Sequence, residues 1–183
     1  FGGSYGGGRQ ARYRGQDFNA ELNLTLQDAY ETQQQTLTVN GKNIRITIPA
    51  GSENGQTIKI PGHGGNGVNG GPNGDLFITF NVTNNTEFKR SGNDLHLKQD
   101  IDLYTAILGG DLIIETMNGK VKLPVKPETQ NENVVRLKGK GFPVYKKEGQ
   151  FGDLYVTFNV KIPTQLTDEQ KRLFTELSKL DER

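Results

Sequence analysis

The stretch "GDLFITFNV" at 74–82 returns as "GDLYVTFNV" at 152–160, and this recurrence constrains the fold more than any single motif. Three further landmarks recur in the same order and at a nearly constant offset. "LNLTLQDA" at 22–29 parallels "QDIDLYTA" at 99–106, "NGKNIRITIP" at 40–49 matches "NGKVKLP" at 118–124, and "IKIPGHG" at 58–64 returns in kind as "VRLKGKG" at 135–141. Such self-similarity is the mark of two similar units in tandem. Units this small bury little core each, so they are expected to lean on one another or on a partner.

Within each repeat the apolar residues alternate. Leu22, Leu24 and Leu26 alternate with Asn23 and Thr25, and Leu37 and Val39 alternate ahead of Asn40-Gly41. Ile44, Ile46 and Ile48 alternate after it, and Asn-Gly between two alternating runs signals a hairpin, because both residues tolerate positive φ. Further strands fit at 57–60 and 76–82, and only "LQDAYE" at 26–31 reads as a helical turn. The expected fold class is mainly β: two tandem similar β-sandwich-like units with short helical turns, plus a C-terminal amphipathic helix. That helix, "LTDEQKRLFTELSKL" at 166–180, has Thr167 as N-cap and Gln170 completing a capping box. Leu173, Phe174, Leu177 and Leu180 make one apolar stripe on it. The stripe either docks on the second unit or pairs with the same helix of another copy; periodicity fits both.

Gly62, Gly64 and Gly67 stand in the G-x-G-x-x-G spacing after an apolar run. A dinucleotide turn needs a helix to follow it, because the pyrophosphate sits on that helix's N-terminus. Here "NGVNGGPNGD" follows, and its glycines and proline break any helix. The loop is therefore hairpin chemistry, and no cofactor is expected.

No catalytic constellation is legible. His63 lies in the glycine loop and His96 in an alternating strand, and neither has a metal-pairing or nucleophile neighbour. Asp75 and Asp153 recur between Gly and Leu, which fits a turn or cap role better than a catalytic pair. Asp100 and Asp102 have no oxygen-ligand loop around them. Glu87, Lys89 and Arg90 flank Phe88 in a connector that reads as inter-unit surface. We expect neither an enzyme nor a metal site.

Formal net charge is +1, so the totals demand no acidic partner, and no run approaches the 18 apolar residues of a membrane span. No signal segment is read at the front, and cysteine is absent, which suits a reducing compartment. The chain opens at Phe1 rather than Met, as a fragment of something longer would. Residues 1–16 hold six glycines, three arginines and no acid; they read as a flexible linker tail or, using Arg9, Arg12 and Arg14, as a basic arm on nucleic acid.

The glycine- and aromatic-flavoured tail, the two GDL strands, "FKRSGNDL" at 88–95, "LGG" at 108–110, the NGK turns, "KGKGFP" at 138–143 and the capped final helix together resemble the C-terminal region of DnaJ-type co-chaperones. The resemblance covers essentially the whole chain and is similar to class B members, including the curved-DNA-binding proteins. The zinc module of class A members would interrupt the first unit, where Val39 here runs straight into Asn40-Gly41. The J-domain is missing from this sequence, so stimulation of the partner chaperone's ATPase is not expected.

The resemblance implies a linker tail over 1–16, a client-binding domain I over 17–86, a domain II over 87–163 and a dimerisation helix over 164–183. It implies unfolded client polypeptides and a DnaK-type chaperone as partners, a homodimer, and a cytoplasmic setting. Carried over by position, the client groove falls on Leu24, Leu26, Leu37, Val39 and Ile78, and dimerisation on Leu173, Phe174, Leu177 and Leu180. Two departures are visible: Leu37 stands where the family often has a large aromatic, and Gln33, Gln34 and Gln35 stand where eukaryotic class B members place lysines for the partner's acidic tail. The competing reading is DNA binding through Lys138, Lys140, Lys146 and Lys147, a modest cluster whose grip on phosphate would weaken steeply with salt. A weaker alternative is a structural β-sandwich adhesion module.

Overall fold

A computed structural model of the chain describes residue 8 and residues 10–181. The chain divides into two compact units. Residues up to Thr86 together with Pro143–Gln150 form one, and Glu87–Phe142 with the residues from Phe151 onward form the other.

The first unit holds β1 (Phe18–Thr25), β2 (Gln33–Val39), β3 (Lys42–Ile48), β4 (Thr57–Ile60) and β5 (Leu76–Thr83). One sheet has the order β1-β5-β4, with β5 parallel to β1 and antiparallel to β4; β2 and β3 make a separate antiparallel pair. The inward faces supply the core: Leu22 and Leu24 of β1, Ile44, Ile46 and Ile48 of β3, and Leu76, Ile78 and Phe80 of β5. Burying each such side chain contributes about 1.5–3 kcal/mol. The β2–β3 turn is built as its Asn-Gly pair requires, with φ 48° at Asn40 and 76° at Gly41, so that Val39 pairs directly with Lys42.

The second unit holds β6 (Lys89–Ser91), β7 (Asp94–Asp102), α1 (Leu103–Leu108), β8 (Gly110–Thr116), β9 (Gly119–Val125), β10 (Val134–Leu137), β11 (Leu154–Lys161) and α2 (Asp168–Leu180). Its main sheet, β10-β11-β7-β6, repeats the first unit's plan: β11 lies parallel to β7 and antiparallel to β10. The fold class is thus mainly β, with two similar sheet clusters and a C-terminal helix.

Three details differ between the repeats. The turn after β1, where Thr25 Oγ1 accepts from the Asp28 amide at 3.1 Å, becomes a helix after β7, where Asp102 accepts from the Thr105 amide at 2.9 Å. The second NGK is set one residue later: Thr116 pairs with Gly119, neither turn residue, Met117 or Asn118, takes a positive φ, and Gly119 at the start of β9 does, at 94°. Pro143–Gln150 clusters with the first unit rather than extending a contiguous second one. There the backbone of Tyr145 and Pro143 comes so close to Gly51 that an added Cβ would stand 2.6 Å from the Pro143 carbonyl oxygen.

The reading of 1–16 as a free tail fails for its last residues. Tyr13 forms an antiparallel bridge with Val68, the Gly15 amide donates to Pro72 at 2.9 Å, and Gly65 donates to Gln16 at 2.7 Å. Composition registers the low apolar content there, but backbone pairing with a loop far along the chain is independent of side chains.

Candidate functional site

The glycine loop between β4 and β5 explains its own sequence. Gly62 takes φ 74° and Gly139, its counterpart, 72°. Each donates its amide to the aspartate that opens the next strand, Asp75 and Asp153, at 2.9 Å. The aspartate amides in turn donate to Asp17 at 2.7 Å and to Asp94 at 2.8 Å. Gly74 and Gly152 are confined: an added Cβ would lie 1.9 Å from the carbonyl oxygen of Gln16 or of Asn93. Asp75 also meets Lys59 Nζ and Arg14, both at 2.9 Å. Hydrogen bonding from Lys59 and then from the Gly62 amide holds its carboxyl at about 2. The Gly62 and Gly74 amides and the Asp75 carboxylate are thus all engaged in structural hydrogen bonds, and the loop joins two antiparallel strands.

A cleft of about 350 Å³ opens beside this loop, lined by Phe18, Val39, Lys42, Ile44 and His63 among others. Val39 is the one expected groove residue in its wall. Leu37 and Val39 are half-buried and pack from β2 onto the core that contains Leu24 and Ile78. Leu24 and Ile78 themselves are 2% and 0% exposed, so they support that surface from beneath rather than form it. Leu26 is buried at 3% beyond the end of β1 and is not part of that cluster. Alternation identifies the inward face of a strand but not how much of that face a second layer covers. Phe18, Lys42 and Ile44 were missed as lining residues. The signal for them was indirect, since Phe18 opens β1 and Lys42 follows the Asn-Gly turn.

The terminal helix carries its full capping box: Thr167 accepts from the Gln170 amide at 3.2 Å and Gln170 accepts from the Thr167 amide at 2.8 Å. No residue of α2 is buried. Phe174 approaches Tyr104 of α1 with ring centroids 6.4 Å apart, while Leu173, Leu177 and Leu180 are 51%, 60% and 78% exposed. Tyr104 and these four residues border an apolar cleft of about 350 Å³.

The four lysines divide between the units. Lys138 and Lys140 belong to the second and Lys146 and Lys147 to the Pro143–Gln150 loop of the first. Lys140 is half-buried, and Lys146 sits 5.3 Å from the Tyr145 ring centroid. Of the arginines considered as a basic arm, Arg12 is exposed, Arg14 is ion-paired to Asp17 and Asp75, and Arg9 lies outside the described residues. His96 is exposed and stacks on Tyr155 at 5.3 Å; His63 Nδ1 lies 3.0 Å from the Pro61 carbonyl oxygen. Among the described residues no group of three or more His, Asp or Glu could hold a metal ion, and no helix is long and apolar enough to cross a membrane.

The family model of the DnaJ C terminal domain matches residues 18–163, a span that takes in both GDL strands and both glycine loops. The chain belongs to the DnaJ C-terminal domain family. Members of this family are non-catalytic co-chaperones. The chain is 44% identical over 139 residues to a chaperone protein DnaJ of Caldicellulosiruptor bescii, covering 76% of this chain and 36% of that protein. It is 46% identical over 130 residues to a chaperone protein DnaJ of Lachnospira eligens, covering 71% and 35%. It is 42% identical over 139 residues to one of Neisseria meningitidis, covering 76% and 37%. The chain therefore spans little more than a third of the length of these relatives. The match begins at Phe18, the first residue of β1, and ends at Pro163, just past β11, so α2 lies beyond the matched span.

Proposed function

We propose that this chain is the client-binding and dimerising part of a co-chaperone: it captures exposed apolar segments of unfolded polypeptides in its first unit and passes them to a DnaK-type chaperone. The observation that carries the reading is on β2. Leu37 and Val39 present half-covered apolar surface, and β3 is the only ladder neighbour of β2 among the described residues. An extended client can add a strand along the open edge while seating side chains on Leu37 and Val39. Leu24 and Ile78 act as the support beneath. Each well-buried client side chain contributes about 1.5–3 kcal/mol. Ordering the client offsets most of this, which puts a single site at roughly micromolar affinity.

Weak single sites gain from being doubled. Two copies joined through Leu173, Phe174, Leu177 and Leu180 hold two β2 surfaces on one client, and avidity rises without new contacts. In this reading 17–86 is the client-binding domain, 87–163 the second domain and 164–183 the dimerisation helix, in a cytoplasmic protein. DNA binding through Lys138, Lys140, Lys146 and Lys147 is the competing reading.

The test is fluorescence anisotropy with a labelled, extended Leu/Phe-rich peptide and, in parallel, a labelled DNA duplex. Leu37→Ser with Val39→Ser is the variant, its fold checked by circular dichroism. Salt-tolerant peptide binding that the folded variant loses supports the groove. Unchanged binding by that variant sinks it, and salt-sensitive binding of the duplex alone replaces it with the nucleic-acid reading.

A further inference from the structure

Six Asn-Gly dipeptides occur in this chain, at 40–41, 54–55, 66–67, 69–70, 73–74 and 118–119. In such a pair the glycine amide nitrogen can attack the asparagine side-chain carbonyl carbon, because glycine places no Cβ in the path. The asparagine must swing over the following amide, so any hydrogen bond on either group has to break first.

The fold treats the six differently. At 54–55 both groups are tied: Asn54 accepts from the Val82 amide at 2.9 Å and the Gly55 amide donates to Phe80 at 2.8 Å. At 73–74 Asn73 accepts from Gly67 and donates to Gly62, both at 3.3 Å, while the Gly74 amide donates to Gly65 at 2.9 Å. Asn69 donates to the Ala11 carbonyl at 3.0 Å. The Gly67 amide is held by Asn73. Gly119 lies in the β8–β9 ladder opposite Thr116. Asn40 and Gly41 differ from all of these. Both are exposed, both lie in a two-residue turn outside the ladder, and neither the carboxamide nor the Gly41 amide carries a hydrogen bond among the described residues.

We propose that Asn40 is a site of selective spontaneous deamidation, chosen by the fold from six equivalent sequences. The Gly41 amide gives its proton to solvent as its nitrogen bonds to Asn40 Cγ. The bond from Cγ to the side-chain nitrogen breaks, and that nitrogen takes a proton and leaves as ammonia. Water then opens the five-membered succinimide at either carbonyl, yielding aspartate or isoaspartate. The isoaspartate product lengthens the backbone of a two-residue turn, and either product sets a carboxylate in the cleft that Asn40 shares with Val39 and Lys42.

The test incubates the whole chain at mildly alkaline pH in heavy-oxygen water, which marks every acid formed, and maps its peptides by mass spectrometry over time. A parallel incubation in urea removes the fold. In the folded protein Asn40 converts about tenfold or more faster than Asn54 and Asn73, a factor equivalent to about 1.4 kcal/mol. In urea the rates converge. Conversion of Asn54 or Asn73 as fast as Asn40 in the folded chain overturns the proposal, as does an Asn40 that stays intact. The same preference persisting in urea also overturns it, because local sequence rather than fold would then set the rate.

Discussion

Asp75 accepts the amide hydrogen bond of Gly62 at 2.9 Å, closing the β4–β5 loop onto the start of β5. Lys59 and Arg14 add their charges to the same carboxylate, which sits at about 2 instead of the usual 3.8. A folded-state value below the unfolded one stabilises the fold fully above the ordinary carboxylate range, and that stabilisation is lost as pH falls toward the folded value. Asp75→Asn therefore lowers stability at neutral pH and removes part of the acid sensitivity between 3.8 and about 2. Urea denaturation at a series of pH values checks this. An acid limb identical to that of the parent chain would show that the loop does not depend on the charge.

The glycine of each GDL motif is required by contact. An added Cβ at Gly74 lies 1.9 Å from a backbone oxygen, which no rotamer change relieves. Gly74→Ala and Gly152→Ala each destabilise by about 1–3 kcal/mol or more. Gly110→Ala, whose Cβ would meet only Thr105 Cγ2 at 3.5 Å, stays within about 0.5 kcal/mol. Equal denaturation midpoints for the three variants would refute the distinction.

Glu132 occupies in the second repeat the place of Gly55 in the first. Both amides donate to the core phenylalanine of their unit at 2.8 Å, Gly55 to Phe80 and Glu132 to Phe158, with φ of 78° and 63°. A non-glycine residue in this region costs about 1–2 kcal/mol. The added freedom of glycine in the unfolded chain offsets about 0.4–1 kcal/mol of that. Glu132→Gly thus raises stability by about 0.5–1 kcal/mol, the difference of those terms. A lower melting temperature would count against it.

The terminal helix separates folding from association. Thr167→Ala loses a cap and costs the helix about 1 kcal/mol, visible as reduced helical circular dichroism. Leu177→Asp leaves helix content nearly unchanged because the side chain is 60% exposed, yet it dissociates the proposed dimer in sedimentation equilibrium. Parent-like mass for that variant would remove α2 from the interface.

The tandem organisation, the five strands of the first unit, the Asn40-Gly41 turn and the capping box were legible in the chain, because each rests on local physics, whereas β6 falls in what reads as a connector. Side-chain alternation has a period of two in any strand, positive φ favours Asn and Gly wherever a turn needs it, and a cap is satisfied within four residues. The repeat was legible for the same reason: the same residues must solve the same local problem twice, as Asp75 with Gly62 and Asp153 with Gly139 do. Tertiary structure decided what depends on residues distant in sequence. It placed Leu24 and Ile78 beneath Leu37 and Val39, because a second sheet layer covers some of an inward face and leaves the rest half-open. It tied Tyr13 and Gly15 to the glycine loop through backbone hydrogen bonds that no side-chain pattern encodes, and gathered Pro143–Gln150 with the first unit.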